Sequence, residues 1–151
     1  SKLMPVGDVL GALYVSDTKY NVDMFLGIGG GPEGVLAACA LDACGCHFQG
    51  RFIFDNENDI KVANSMGIKD LKKKYELREI VKGDSLFCAT GITNSDILQG
   101  ISINNNTYAS ETLITHKSSN YKKVVRLVKS LDEWYLFLEK NGQKELLIKT
   151  L

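Results

Sequence analysis

The sequence predicts an α/β fold, and three observations carry that reading. In the first half, apolar segments of strand length alternate with segments of helical pattern. A glycine-rich turn joins one apolar run, Val22 to Ile28, to the alanine-rich stretch Val35 to Cys44. In the second half, strand-like segments follow one another, separated by the turn signals Asn104-Asn105-Asn106 and Asn141-Gly142.

The elements follow in order. Asp8 to Val15 is a short helix that Asp8 can cap. Val22 to Ile28 is a buried strand bounded by glycines. Val35 to Cys44 is a helix, with Pro32 suited to its first position because a missing N–H costs nothing there. His47 to Phe54 alternates and reads as a strand. Asn58 to Met66 is a helix stopped by Gly67, and Asp70 to Tyr75 is a second short one. Glu79 to Val81 is a brief strand, and Ser85 to Thr90 a buried one that runs into Gly91. Ile97 to Ile103, Tyr108 to His116, Tyr121 to Lys129, Trp134 to Glu139 and Glu145 to Thr150 complete the strands. Residues 1–151 are expected to form a single domain, since a chain this long buries about two thirds of its unfolded surface.

Composition narrows the partners. Eighteen basic residues balance eighteen acidic ones, which argues against a broad nucleic-acid-binding surface. The hydrophobic fraction of 44% and charged fraction of 24% are those of a globular chain. No apolar run reaches the roughly 20 residues that a membrane helix needs. No secretory signal pattern is visible. Ser1-Lys2-Leu3 precedes Met4 and opens into apolar sequence, so the chain is expected to be the later part of a longer protein.

The four cysteines are Cys39, Cys44, Cys46 and Cys88. Size, composition and the absence of a signal pattern place them in a reducing compartment, expected to be the cytoplasm. Cys44-Gly45-Cys46-His47 alone has metal-ligand character, but structural zinc sites use two separated ligand pairs and wider spacing. Buried thiols are the expectation.

Gly29-Gly30-Gly31-Pro32-Glu33-Gly34 matches the G-x-G-x-x-G dinucleotide pattern, and Asp55 stands about where a ribose-binding acid is expected. Pro32 removes a donor from that site, and Glu33 would face a pyrophosphate with no cation between them. A second reading keeps the glycine N–H groups as an anion site and makes Glu33 a ligand for a divalent metal that accompanies a phosphate. A third has Glu33 only stabilising the helix dipole.

Other polar groups have plain readings. Thr90, Thr93 and Asp96 form a polar loop after a buried strand. His47 and His116 are structural, with no carboxylate near them in sequence. Lys72-Lys73-Lys74 is a solvated face. Lys122, Lys123, Arg126 and Lys129 keep an exposed strand edge soluble. Trp134, Tyr135 and Phe137 are core.

Four motifs in order then make a resemblance. Gly27-Ile28-Gly29-Gly30-Gly31-Pro32-Glu33-Gly34-Val35 is similar to the G-I-G-G-x-P-E-G-V loop of class II fructose-1,6-bisphosphatases. Val6-Gly7-Asp8-Val9 stands where that family has D-G-D-V. Ala89-Thr90-Gly91-Ile92-Thr93 followed by Leu98-Gln99-Gly100-Ile101 resembles its A-T-G-[IV]-T and L-x-G-[IV] pair. Ser110-Glu111-Thr112-Leu113 resembles its T-E-[ST]-L strand, and the likeness extends to about Leu131. Some family members also act on sedoheptulose 1,7-bisphosphate.

The resemblance implies the C-terminal half of a layered α/β sandwich, a mixed sheet flanked by helices, of the lithium-sensitive, metal-dependent sugar phosphatases. It implies that Glu33 ligates Mg²⁺ or Mn²⁺, and that Gly30, Gly7 and Asp8 contact a sugar bisphosphate. Val6 replaces the first aspartate of the family's triplet. The implied reaction is hydrolysis of fructose 1,6-bisphosphate to fructose 6-phosphate in gluconeogenesis. The family's catalytic segment and most of its metal carboxylates belong to an N-terminal half whose motifs do not occur here, so the catalytic residues are expected there and this chain alone is expected to be inactive. Half of such an enzyme should expose apolar surface and form homo-oligomers. A dinucleotide-binding module and a non-catalytic assembly or regulatory domain are the alternatives.

Overall fold

A computed structural model of the chain describes Leu3 and residues 7–130. The expected strands Trp134 to Glu139 and Glu145 to Thr150, the Asn141-Gly142 turn and the aromatic trio at 134–137 lie outside the described residues, as does Val6. The chain divides into two compact units. The first runs to Phe87 and includes Thr115–Lys122; the second comprises Cys88–Ile114 and the chain from Lys123 onward.

The first unit is built on two helices. α1 (Asp8–Leu13) begins after Gly7, so Asp8 is the first helical residue and not the cap. α2 (Gly31–Ala43) begins after Gly30, with Pro32 in its first turn. They pack through small residues: Ala12, Ala37 and Leu41 form a core cluster that Val9, Val15, Phe25, Cys46 and Phe48 enclose. Alanines at the contact let the two backbones approach closely. Gly11 makes room for a side chain instead: a Cβ there would meet the Phe25 ring at 2.5 Å.

Both longer helices of this unit end the same way. After α2, Cys46 N–H donates to the Leu41 carbonyl at 2.8 Å and Gly45 N–H to that of Asp42 at 3.0 Å. After α3 (Glu57–Ser65), Ile68 donates to Ala63 at 2.9 Å and Gly67 to Asn64 at 3.0 Å. These are Schellman caps, which need a left-handed residue; Gly45 has φ 70° and Gly67 φ 84°. Cys44-Gly45-Cys46 is therefore a helix stop, and its close spacing follows from the cap. Asn56 starts α3, its side chain accepting the Asp59 N–H at 3.0 Å.

Three expectations for this unit fail. Val22–Ile28 forms no strand, because its backbone finds no hydrogen-bond partner among the described residues. Asp70 to Tyr75 is not helical. The Asp70 carboxylate accepts the Lys72 N–H at 2.9 Å, a side-chain turn that competes with a helix. Tyr75 then joins β2 (Lys74–Glu76), which pairs antiparallel with β1 (Gln49–Arg51). β1 is all that forms of the expected strand His47 to Phe54, since its partner is only three residues long. Glu79 to Val81 is not a strand: α4 (Leu77–Ile80) holds Glu79, because Glu76 and Glu79 close a reciprocal capping box.

A four-stranded sheet follows: β3 (Leu86–Thr90), β4 (Ser102–Asn104), β5 (Thr107–His116) and β6 (Tyr121–Ser130). β5 is the shared strand, paired with β3, β4 and β6. β4 meets β5 antiparallel, with Asn105 at φ 51° in the turn between them. Of the expected strand Ile97 to Ile103, only its end is regular. The Ser95 hydroxyl accepts the Leu98 N–H at 3.0 Å and holds the preceding residues in a turn. Helices and antiparallel pairs thus share the chain, a mixed α/β arrangement.

One buried charge links the elements of the first unit. Asp42, near the end of α2, is 1% exposed. Its carboxylate accepts the Ser85 hydroxyl at 2.6 Å, pairs with Arg78 of α4 at 3.0 Å, and takes the Lys117 ammonium from the turn after β5. A buried carboxylate left with one polar partner is strongly destabilising. Replacing both Arg78 and Lys117 with Met should cost about 3–5 kcal/mol. Each single change should cost much less than half of that, because the other cation remains. Urea denaturation of the three variants checks this. Strict additivity of two small effects would show that Asp42 does not depend on its cations.

Candidate functional site

The glycine loop and the head of α2 form the first candidate. Gly30 is the N-cap residue with φ −67°, a conformation open to any residue. What requires glycine there is space. A Cβ on Gly30 would lie 2.1 Å from Oε2 of Glu33, so the Glu33 carboxylate folds back over the Gly30 Cα. Glu33 occupies the first turn of α2 and is exposed to solvent. The first intrahelical bond runs from Gly34 N–H to the Gly30 carbonyl at 3.0 Å. The N–H groups of Gly31 and Glu33 are thus beyond the reach of that ladder, and Pro32 has none. Two donors and the positive end of a 13-residue helix stand beside one carboxylate.

Gly7 caps α1 and Asp8 begins it. The packing of α1 on α2 brings the helices that carry Gly7, Asp8, Gly30 and Glu33 into one unit. Among the described residues, no group of three or more His, Cys, Asp or Glu side chains converges to hold a metal. Glu33 suits one oxygen position on a hard divalent cation. One carboxylate alone does not complete such a site.

The dinucleotide reading loses its context. That motif needs a strand before the loop and a parallel β-α-β unit. No strand precedes the loop among the described residues, and Asp55 follows β1, which pairs antiparallel with β2.

A second candidate lies in the other unit. The loop from Gly91 to Gly100 folds back on itself, with Ile101 N–H donating to the Ile92 carbonyl at 3.1 Å. Both bounding glycines permit backbone contact. A Cβ on Gly91 would meet the Gln99 carbonyl oxygen at 2.5 Å, and one on Gly100 the Thr93 carbonyl carbon at 2.6 Å. Glu111 braces this loop from β5. Its side chain accepts the Gln99 N–H at 2.8 Å and its carbonyl accepts that of Gly91 at 2.9 Å. Asn94 accepts the Gly100 N–H at 2.8 Å. Beside these residues is a polar cleft of about 200 Å³, with Arg126 of β6 on its wall, 3.9 Å from the Glu111 carboxylate. Thr90 bonds Thr112 across β3 and β5 at 2.8 Å, which makes it a cross-strand tie. Sequence reasoning assigned Glu111 no role; the motif Ser110-Glu111-Thr112-Leu113 was its only signal.

His116 has a partner that its sequence neighbours do not show. It has a carboxylate partner, Asp84, at 2.8 Å, and its other ring nitrogen meets Ser119 at 2.7 Å. The pair is 32 residues apart in sequence, so a local search misses it. The hydroxyl of Ser118, and then His116, hold the Asp84 carboxyl below the usual carboxylate range. Lys122 likewise has partners, its ammonium reaching the Ser16 carbonyl at 3.0 Å.

Comparison with known proteins reaches almost the whole described chain. The family model for bacterial fructose-1,6-bisphosphatase, glpX-encoded, matches residues 1–131. A fructose-1,6-bisphosphatase class 2 of Haemophilus influenzae is 36% identical over 149 residues, which is 89% of this chain and 44% of that protein. A D-fructose 1,6-bisphosphatase class 2/sedoheptulose 1,7-bisphosphatase of Synechococcus sp. is 34% identical over 143 residues, 86% of this chain and 40% of that protein. The D-fructose 1,6-bisphosphatase class 2/sedoheptulose 1,7-bisphosphatase 1 of Acaryochloris marina is 32% identical over 151 residues, 91% of this chain and 44% of that one. The chain thus spans less than half the length of these relatives.

The geometry of Gly30 makes a direct prediction. Gly30→Ala should leave stability within about 0.5 kcal/mol, as is usual for surface changes, because the displaced atom ends a flexible side chain. The Glu33 carboxylate should move. A thermal melt with the crystal structure of the variant checks both. An unmoved Glu33 would mean that the glycine is not there to admit it.

Proposed function

Because this chain belongs to the bacterial fructose-1,6-bisphosphatase family described as glpX-encoded, we propose that it forms part of a metal-dependent sugar bisphosphatase. The reaction is hydrolysis of fructose 1,6-bisphosphate: a water oxygen bonds to the phosphorus of the 1-phosphate, the ester P–O bond breaks, and the departing sugar oxygen takes up a proton. Fructose 6-phosphate and phosphate are the products, a step of gluconeogenesis. The observation that carries this reading is the Glu33 carboxylate seated at a helix start beside exposed backbone N–H groups, within a chain matched by the family model.

The residues divide the work. The N–H groups of Gly31 and Glu33, with the helix dipole, attract phosphate oxygens. Gly30 leaves the room that Glu33 occupies and lets a sugar phosphate approach the backbone. Gly7 and Asp8 bind the sugar phosphate at the head of α1. Glu33 holds one divalent cation, Mg²⁺ or Mn²⁺. When bound, the metal neutralises charge on the transferring phosphoryl group and lowers the pKa of its bound water. One carboxylate cannot complete that centre, so the remaining ligands and the catalytic groups come from the other portion of a longer protein. The four cysteines of this chain are free thiols, three half-buried and Cys88 exposed where buried thiols were expected, and free thiols support a cytoplasmic setting.

A second reading is a non-catalytic assembly or regulatory domain, which an incomplete set of metal ligands among the described residues also fits. The 151-residue chain is then inactive for lack of purpose, not for lack of a partner half. Both readings expect the isolated chain to associate, because Leu86, Ile92, Val124 and Val128 are among many exposed apolar side chains.

The full-length protein separates the two. Glu33→Gln should lower kcat about a hundredfold, equivalent to about 3 kcal/mol of transition-state stabilisation, and change the metal dependence. Asp8→Asn should mainly raise KM. Steady-state kinetics over a metal titration measure these effects, with thermal melts as the folding control. If folded Glu33→Gln keeps its kcat and metal dependence, the residue serves only the helix dipole. The isolated chain should show no bisphosphatase activity with either metal, and turnover by a homogeneous preparation would overturn the division of labour.

A further inference from the structure

The segment Val22–Gly29 has the composition of a strand and none of its bonds. Among the described residues, no backbone N–H or carbonyl from 22 to 29 takes part in a hydrogen bond. From Met24 to Ile28 its large apolar side chains nevertheless alternate as those of a strand do. Met24, Leu26 and Ile28 are 71%, 81% and 81% exposed. Phe25 turns the other way, onto Gly11 and the Ala12–Ala37–Leu41 cluster. The segment is therefore anchored on one side and presents an apolar row on the other. An unpaired backbone beside exposed apolar side chains is a template for strand addition.

What covers it follows from length. The relatives named above continue for more than half of their sequence beyond the part that this chain matches. We infer that Val22–Gly29 is an acceptor edge for a β-strand supplied by the portion of the full-length protein outside these 151 residues. The inference rests on the reading of the chain as part of a longer phosphatase, and it deepens that reading by naming the surface through which the parts join. Strand pairing here ends at Gly29, one residue before the Gly30 cap and four before Glu33. Docking of the missing portion would then set the entry angle of the glycine loop, and the metal-binding carboxylate would be held only once the two parts are together.

Hydrogen–deuterium exchange tests this on the 151-residue chain and on the full-length protein. Amides of residues 23–31 should exchange at close to the unprotected rate in the short chain. In the full-length protein they should slow at least about a hundredfold. Leu26→Asp and Ile28→Asp should leave the melting of the short chain unchanged, since both sites are exposed, and should remove the protection in the full-length protein. Val125→Asp on β6, also exposed, is the control that should not. Fast exchange at these amides in the full-length protein would overturn the inference. So would protection in the short chain that vanishes on dilution, which would make a second copy the occupant. Fructose 1,6-bisphosphate hydrolysis by the same full-length preparation is measured separately. Protection without hydrolysis leaves the surface standing and sinks the function; hydrolysis with an unprotected segment does the reverse.

Discussion

Burial of the Asp42 carboxylate is the constraint on which the first unit depends. Asp42 lies in the last turn of α2, where the negative end of the helix dipole opposes a carboxylate. Burial there is tolerable only with close cations and donors. They come from separate stretches of chain: Arg78 in α4, Ser85 ahead of β3 and Lys117 after β5, the last 75 residues away. Each must be in place for the charge to be satisfied, so the carboxylate acts as a register mark for the α2 end, α4 and the two sheet-flanking segments. The other end of the same helix carries Glu33. The two acids are nine positions apart on the helix, roughly 14 Å along the axis. A rod fixed at one end by ion pairs presents its other end to solvent in a defined direction.

Glycine illustrates how one residue type serves unrelated demands. Gly45 and Gly67 are required by backbone conformation in two helix caps. Gly91 and Gly100 are required by backbone contact within a folded-back loop. Gly30 has an ordinary conformation and is required by a neighbouring carboxylate. The first demand is partly visible in sequence, since a glycine after a helical pattern suggests a stop. The other two depend on which atoms arrive from elsewhere in the chain.

The candidate site has the same character. Its helix start, its donors and its carboxylate are local, all within Gly30 to Gly34. Metal-assisted phosphoryl transfer needs several oxygen ligands around the ion. Local sequence cannot supply them here, and the relatives are more than twice as long as the part that this chain matches. The exposed row of Met24, Leu26 and Ile28 lies immediately before the glycine loop.

By itself the sequence determined the α/β class, the long helix after the glycine loop, the helix ended by Gly67, and the strands at Ser85 to Thr90, Tyr108 to His116 and Tyr121 to Lys129. In those segments periodicity, caps and turn residues agree, so local energetics suffice. It also carried the family through four ordered motifs. Tertiary structure decided the rest. It made a helical turn of Glu79 and a strand of Tyr75, because a capping box and a three-residue partner strand outweighed weak local preferences. It paired His116 with Asp84 across 32 residues and gave Glu111 a loop to brace. Among the described residues it left Val22–Ile28 unpaired, although its composition is that of a strand. A strand is stable only when another supplies its hydrogen bonds, and composition cannot say whether that partner is present.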